Sequence, residues 1–226
     1  MAGRASADLL IPQFYKLLNK EDSWAYKPGQ LYLTHVVYPQ PYPTILKLEK
    51  YDPRDETKSR FSIKRYSSGD EKHYPVKRLN LRTDEMFYIY TGKIRPVIIL
   101  GYVESEWFET IQKILLCAPV FSFKPRHSQE YIIRAQAFVY PNLFYLPGSP
   151  KGCYKESAIR FELIQPIMKG FLQPYLNLID KKPVSLTKEA YLFLLNHLSK
   201  FLGGGPIDKR IEKDITTYQE LLLESI

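Results

Sequence analysis

Two short segments hold the residue types from which phosphodiester chemistry can be built. Lys93-Ile94-Arg95-Pro96-Val97-Ile98-Ile99-Leu100 and Leu115-Leu116-Cys117-Ala118-Pro119-Val120-Phe121-Ser122 each read as a buried strand with one polar residue at its end. The first starts at an arginine and the second runs out at a hydroxyl. A guanidinium stays charged and presents a rigid fork of donors, so Arg95 is a candidate phosphate ligand. Ser122 is the candidate hydroxyl, and together the two could contact a phosphodiester with no metal. His127 follows in a turn with Lys124 and Arg126, where it can move a proton, touch a phosphate or simply sit on the surface.

A second group of basic residues is interleaved with aromatic ones. Lys58, Arg60, Lys64, Arg65, Lys72, Lys77, Arg78 and Arg82 alternate with Phe61, Tyr66 and Tyr74. Cations of this kind can track an RNA backbone while rings stack on bases. Lys64, Arg65, Lys77, Arg78, Lys124 and Arg126 are the candidate RNA contacts. The competing reading is a solvated hairpin insertion, because Asp52, Asp55, Glu56, Asp70 and Glu71 offset much of the local charge. The whole chain of 226 residues carries a formal charge of +8, which favours polyanions or an acidic partner and says nothing about fold.

Several chemistries find no support. The four histidines are scattered, and the two cysteines, Cys117 and Cys153, offer neither metal spacing nor a disulfide framework. Neither GxGxxG nor GxxxxGK[ST] occurs, so no nucleotide cofactor and no metal are expected. No apolar run is long enough for a membrane span and no signal peptide is evident, which predicts a cytoplasmic protein.

The elements that must position these groups are mainly strands. Residues up to Trp24 show a short helix-like pattern, and Gln30 to Val37 alternates as a half-buried strand. Strands are expected over Thr44–Tyr51, Arg60–Tyr66, Glu85–Thr91, Pro96–Val103 and Ile114–Val120, with about one helical turn over Ser105–Gln112. Tyr131 to Val139 reads as a strand, Pro141 to Tyr154 as an ordered loop, and Ala158 to Pro166 as another strand. Thr187 can cap a helix whose apolar face carries Tyr191, Leu194, Leu195, Leu198 and Leu202, stopped by Gly203-Gly204-Gly205. A second, more charged helix follows Pro206. This order predicts an α+β protein, mainly β: a compact barrel or sandwich with helices attached.

The order of motifs resembles the MazF/PemK family of toxin endoribonucleases. Lys27-Pro28-Gly29-Gln30-Leu31-Tyr32-Leu33 is similar to that family's opening strand, and Ile94-Arg95-Pro96-Val97-Ile98-Ile99-Leu100 to its arginine strand. Leu115 to Ser122 resembles the strand that ends in a catalytic threonine, and Leu186 to Gly203 the terminal helix. The matches cover about half the chain, chiefly 27–37 and 93–203.

This resemblance implies an SH3-like small barrel, usually a homodimer, that cuts single-stranded RNA without a metal or cofactor. On that reading the catalytic candidates are Arg95, which matches the family's arginine and would bind the scissile phosphate, and Ser122 or His127, which would help proton transfer. It implies a barrel domain over 1–205, while an insertion at about 40–90 and a helical extension over 206–226 depart from the family's pattern. One departure stands out: aligning Pro119 puts Phe121 where the threonine belongs, with Ser122 one residue on. A one-residue slip in a strand points the side chain to the opposite face, so either a bulge restores Ser122 or the hydroxyl is lost. The second implication is therefore a catalytically degenerate module that binds a protein partner: an antitoxin, a protease or a sigma factor. MazF-like components of CRISPR-associated Lon-protease signalling are of that kind.

Overall fold

The computed structural model describes residues 11–38, 42–50, 52, 54–55, 58–67, 89–107 and 110–223. Its strands are β1 (Tyr15–Leu17), β2 (Leu31–Val37), β3 (Thr44–Lys50), β4 (Arg60–Arg65), β5 (Gly92–Trp107) and β6 (Thr110–Ser122). After helix α1 (Gln129–Gln136) come β7 (Leu143–Leu146), β8 (Ser157–Arg160), β9 (Gln165–Met168), β10 (Gln173–Pro174) and β11 (Val184–Leu186). Helices α2 (Lys188–Phe201) and α3 (Lys209–Leu223) end the chain's described part. The fold is α+β and mainly β. Among the described residues the large sheet runs β10-β2-β5-β6-β8-β7, with β9 also on β6, and does not close into a barrel.

The chain divides into two compact units, residues 1–36 with 94–226, and residues 37–93. The expected boundary at 205/206 is not where it divides. Helix α3 belongs to the first unit, because Ile215 and Tyr218 enter that unit's main core cluster. In the second unit β3 and β4 form an antiparallel pair, with Ile45 buried and Arg65 lying over the ring of Tyr42.

The first unit is organised by β5. Its unbroken apolar run, Val97-Ile98-Ile99-Leu100, is explained by burial on both faces. Ile98 and Leu100 pack with α2 and α3 in one cluster, while Val97 and Ile99 join Tyr32, Leu115 and Cys117 in another. Pro28-Gly29 makes the turn into β2: Gly29 adopts φ +85° and Gln30 N–H donates to the Lys27 carbonyl. Tyr191 ties α2 to the sheet through its hydroxyl, which donates to the Leu100 carbonyl at 2.6 Å. Thr187 caps α2 by accepting from the Ala190 N–H, and its own hydroxyl donates to the Gln13 carbonyl.

Several expectations from sequence are corrected. Residues 105–107 and 110–112 are not helical: β5 and β6 continue as an antiparallel pair to the Trp107–Thr110 rung. Val103, Trp107, Thr110, Ile111 and Ile114 all favour extended backbone, and a paired strand extends cheaply. Residues Tyr131 to Val139 do not form a strand. Ser128 accepts from the Tyr131 N–H, Arg134 pairs with Glu130 at 3.0 Å, and α1 forms instead. The loop expected over 141–154 contains β7, all four residues of which are buried. The single strand expected from Ala158 to Pro166 is broken by a 3-10 turn at Phe161–Leu163. That turn lets β8 pair with the end of β6 and β9 with its middle. Near the N-terminus, Tyr15–Leu17 is a strand on β11, followed by a 3-10 turn at Glu21–Trp24. Most of the strand expected over 85–91 lies outside the described residues. No helix among the described residues is long and apolar enough to cross a membrane.

One core residue makes folding depend on pH. His197 is buried beside Phe138, Phe144 and Phe161, and its Nε2 lies 3.1 Å from the Tyr140 carbonyl, to which it donates. Burial holds its pKa below the ordinary value of 6.5, and Lys200 acts in the same direction. Above pH 6.5 the ring is neutral in both the folded and unfolded chain, and its contribution is complete. As pH falls through that value, the unfolded chain takes up a proton that the folded one refuses. Urea unfolding should therefore show stability dropping between neutral and mildly acidic pH, and His197→Gln should flatten that part of the profile. An unchanged profile in the variant would remove His197 as the cause.

Candidate functional site

Strand pairing brings the separated sequence candidates into one place. The β5–β6 register that sets Val97 opposite Pro119 sets Arg95 opposite Phe121 when continued by one rung pair. The contact agrees: the Arg95 guanidinium carbon lies 4.5 Å from the centroid of the Phe121 ring. On the other edge of β6, β8 pairs Phe121 with Ala158 and so brings Arg160 alongside, 5.7 Å from the same ring. A cleft of about 270 Å³ opens here. It is lined by Arg95, Lys124, Arg126, His127 and Arg160, by the rings of Phe121, Phe123 and Tyr131, and by Asn142.

The charge of this cleft is one-sided. Four permanently cationic side chains line it, with no carboxylate among the lining residues. Glu162 stands just outside and pairs with Arg160, whose Nε and Nη2 donate to one carboxylate oxygen at 2.8 and 2.5 Å. Arg95, Lys124 and Arg126 line the same cleft, whose positive potential favours an anion. The rings form a connected group, with His127 5.3 Å from Tyr131, Phe123 5.8 Å from His127, and Phe123 6.0 Å from Tyr131. Cations beside a ring cluster are what a single-stranded nucleic acid needs for its phosphates and bases.

His127 lines the cleft, and its Nδ1 faces a backbone donor. The Lys124 backbone N–H donates to Nδ1 at 3.3 Å, so the proton of the neutral ring sits on Nε2. In this arrangement the ring offers a donor and not a base.

Ser122 occupies a different position from the one its sequence neighbourhood suggested. The β6–β8 ladder runs regularly through Val120–Ile159, Phe121–Ala158 and Ser122–Ser157, with no bulge. Adjacent residues therefore alternate faces, and Ser122 points with Val120 and away from Phe121. Its Oγ lies 3.3 Å from Ser157 Oγ, and Ser157 also donates to the Lys155 carbonyl. Ser122 contributes to the wall of the main cleft and to a smaller one of about 180 Å³, shared with Val120, Cys153 and Ser157.

Lys124 and Arg126 belong to the cleft, whereas Lys64 and Arg65 lie on β4 in the other unit. Lys77 and Arg78 lie outside the described residues. Arg160, Asn142, Tyr131 and Phe123 escaped sequence reasoning. Arg160 had a signal, as the polar partner in an alternating Ile159–Arg160–Phe161 run, but nothing local says that this strand lies beside Phe121. The cysteines are inert thiols: burial pushes Cys117 up to about 12 and Cys153 to about 11. Among the described residues no group of three or more His, Cys, Asp or Glu side chains could hold a metal ion.

The fold and site together define an α+β protein with a basic, ring-lined cleft. No family model, curated protein or solved structure matches the chain.

Proposed function

We propose that the cleft binds single-stranded RNA and that the protein is a metal-independent endoribonuclease of the MazF/PemK kind, serving a toxin–antitoxin or antiviral defence system. The observation that carries this reading is the convergence of Arg95, Lys124, Arg126 and Arg160 on one ring-lined cleft. On this reading β2, β5 and β6 correspond to strands of that family's SH3-like barrel, here elaborated by the 37–93 unit and α3.

The reaction suits the groups present. The ribose 2′-hydroxyl attacks the adjacent phosphorus, its proton passes to solvent, and the 5′-oxygen leaves with a proton from solvent or a donor. The products are a 2′,3′-cyclic phosphate and a 5′-hydroxyl. Because the nucleophile belongs to the RNA, no protein hydroxyl is needed for attack, and the ring at Phe121 is compatible with activity. Arg95, with Arg126 and Lys124, stabilises charge on the phosphoryl oxygens. His127 adds an Nε2–H donor to the same oxygens.

A second reading is favoured by one specific observation. Phe121 stands in place of the family's threonine, and the Ser122 hydroxyl is engaged with Ser157 on the other face of the strand. This supports a degenerate module that holds a protein partner such as an antitoxin, protease or sigma factor. Incubation with a mixed single-stranded RNA pool in EDTA, followed by mapping of the ends, separates the two. Cyclic-phosphate ends that disappear with Arg95→Ala support the nuclease. Intact RNA at high protein concentration rejects it in favour of the module.

A further inference from the structure

The wall of the cleft opposite the chain's family-like strands carries a group that electrostatics alone does not need. Asn142 sits one residue before β7, and its position is clamped by backbone: its carbonyl accepts from the Phe161 N–H at 3.0 Å, and the Leu143 N–H donates to the Tyr140 carbonyl at 3.1 Å. The β7–β8 register then places its neighbour Leu143 opposite Arg160. The Asn142 Nδ2 donates to Glu162 Oε1 at 3.3 Å, the same oxygen that receives both Arg160 bonds. One carboxylate oxygen thus orients a guanidinium and an amide together.

That tether leaves the amide half used. One Nδ2 hydrogen is engaged, and the second hydrogen and the Oδ1 acceptor have no partner among the described residues. A half-buried amide on the wall of a nucleotide-sized cleft, offering one donor beside one acceptor, matches the edge of a nucleobase. The ring of Tyr131 lines the same cleft, braced by Tyr140 at 5.2 Å and His127 at 5.3 Å, and can take the base's flat face. Arg160 and Glu162 lie close enough to Tyr131 to act on its hydroxyl, so base platform and cation share one corner.

We propose that Asn142 is the base-reading residue of this cleft, with Glu162 as a positioning residue that couples it to Arg160. The cleft on this account takes one nucleotide, phosphate toward the guanidinium groups and base edge toward the amide. The proposal rests on the cleft being an RNA site. It adds that binding depends on the base as well as the phosphate.

The four nucleoside 3′-monophosphates test it, since each carries one base and one phosphate and cannot be cleaved. Their affinities for the full chain are measured by calorimetry, with inorganic phosphate as the base-free control. The tightest and weakest nucleotides should differ by about tenfold, the discrimination one bidentate base contact supplies. In Asn142→Ala, and in the similarly sized but uncharged Asn142→Leu, that ratio should collapse while inorganic phosphate binds as before. Arg95→Ala should instead weaken all four together. Equal affinities in the wild type, or a ratio that survives both Asn142 variants, overturns the role of Asn142 and leaves the RNA cleft standing. Failure of all four nucleotides and of single-stranded RNA to bind overturns the cleft reading and this inference with it.

Discussion

On the proposed nuclease reading, Arg95→Ala is expected to slow RNA cleavage by about 10²- to 10³-fold, the loss typical when one preorganised donor to a developing oxyanion is removed. The effect is large because the lost group is charged and fixed. The Arg95 guanidinium lies 4.5 Å over the Phe121 ring, so it is oriented before RNA arrives and loses little entropy on binding. Its removal should also lower the slope of log affinity against log salt by about one phosphate contact. Single-turnover cleavage and anisotropy titrations at several salt concentrations measure both quantities. A wild-type rate in the variant would take Arg95 out of the chemistry, and an unchanged salt slope would take it off the phosphate.

Phe193→Ala should cost about 3–5 kcal/mol of folding stability, the usual range for removing a buried ring. Phe193 is 3 % exposed and sits where α2 meets the segment after α1 and β7. Its ring lies 4.6 Å from Phe138 and 5.3 Å from Phe144, both edge-on. Those neighbours belong to different elements that cannot all move inward, so the cavity would persist. Urea unfolding should show a lower midpoint with an unchanged slope. A loss below about 1 kcal/mol would mean that the three elements collapse onto the gap and that this core is softer than its contacts imply.

The two effects act on different parts of one construction. Phe193 belongs to the core that holds α2 against β5 and fixes the sheet. Arg95 and Arg160 reach the cleft only because β5 and β8 flank β6 in that sheet. Weakening the core should thus reduce cleavage at temperatures near the melting point, while Arg95→Ala reduces it at every temperature.

The residues themselves announced a good part of this molecule. Thr187, the apolar stripe from Tyr191 to Leu198 and the glycines after Leu202 marked α2, because cap, period and stop all act within a few residues of one another. Alternation marked β2, strands were also expected where β3 and β4 form, and the dense apolar runs marked the centres of β5 and β6. Arg95 stood out by its place at the entry of such a run. The same local evidence misread Tyr131 to Val139, where Ile132, Ile133 and Val139 suggest a strand; the cap at Ser128 and the Glu130–Arg134 pair outweigh that preference.

Other features depended on which strands became neighbours. Whether Ser122 faced the cleft turned on the presence of a bulge, and only the regular β6–β8 ladder answered that, by turning its hydroxyl to Ser157. Arg160 and Asn142 lie about 40 and 20 residues beyond Phe121 along the chain, and they reach it through the stacking of β7 on β8 and β8 on β6. Caps and periodicity are short-range and so are written in consecutive residues. Strand pairing is chosen by the burial of the whole sheet, and no stretch of consecutive residues contains it.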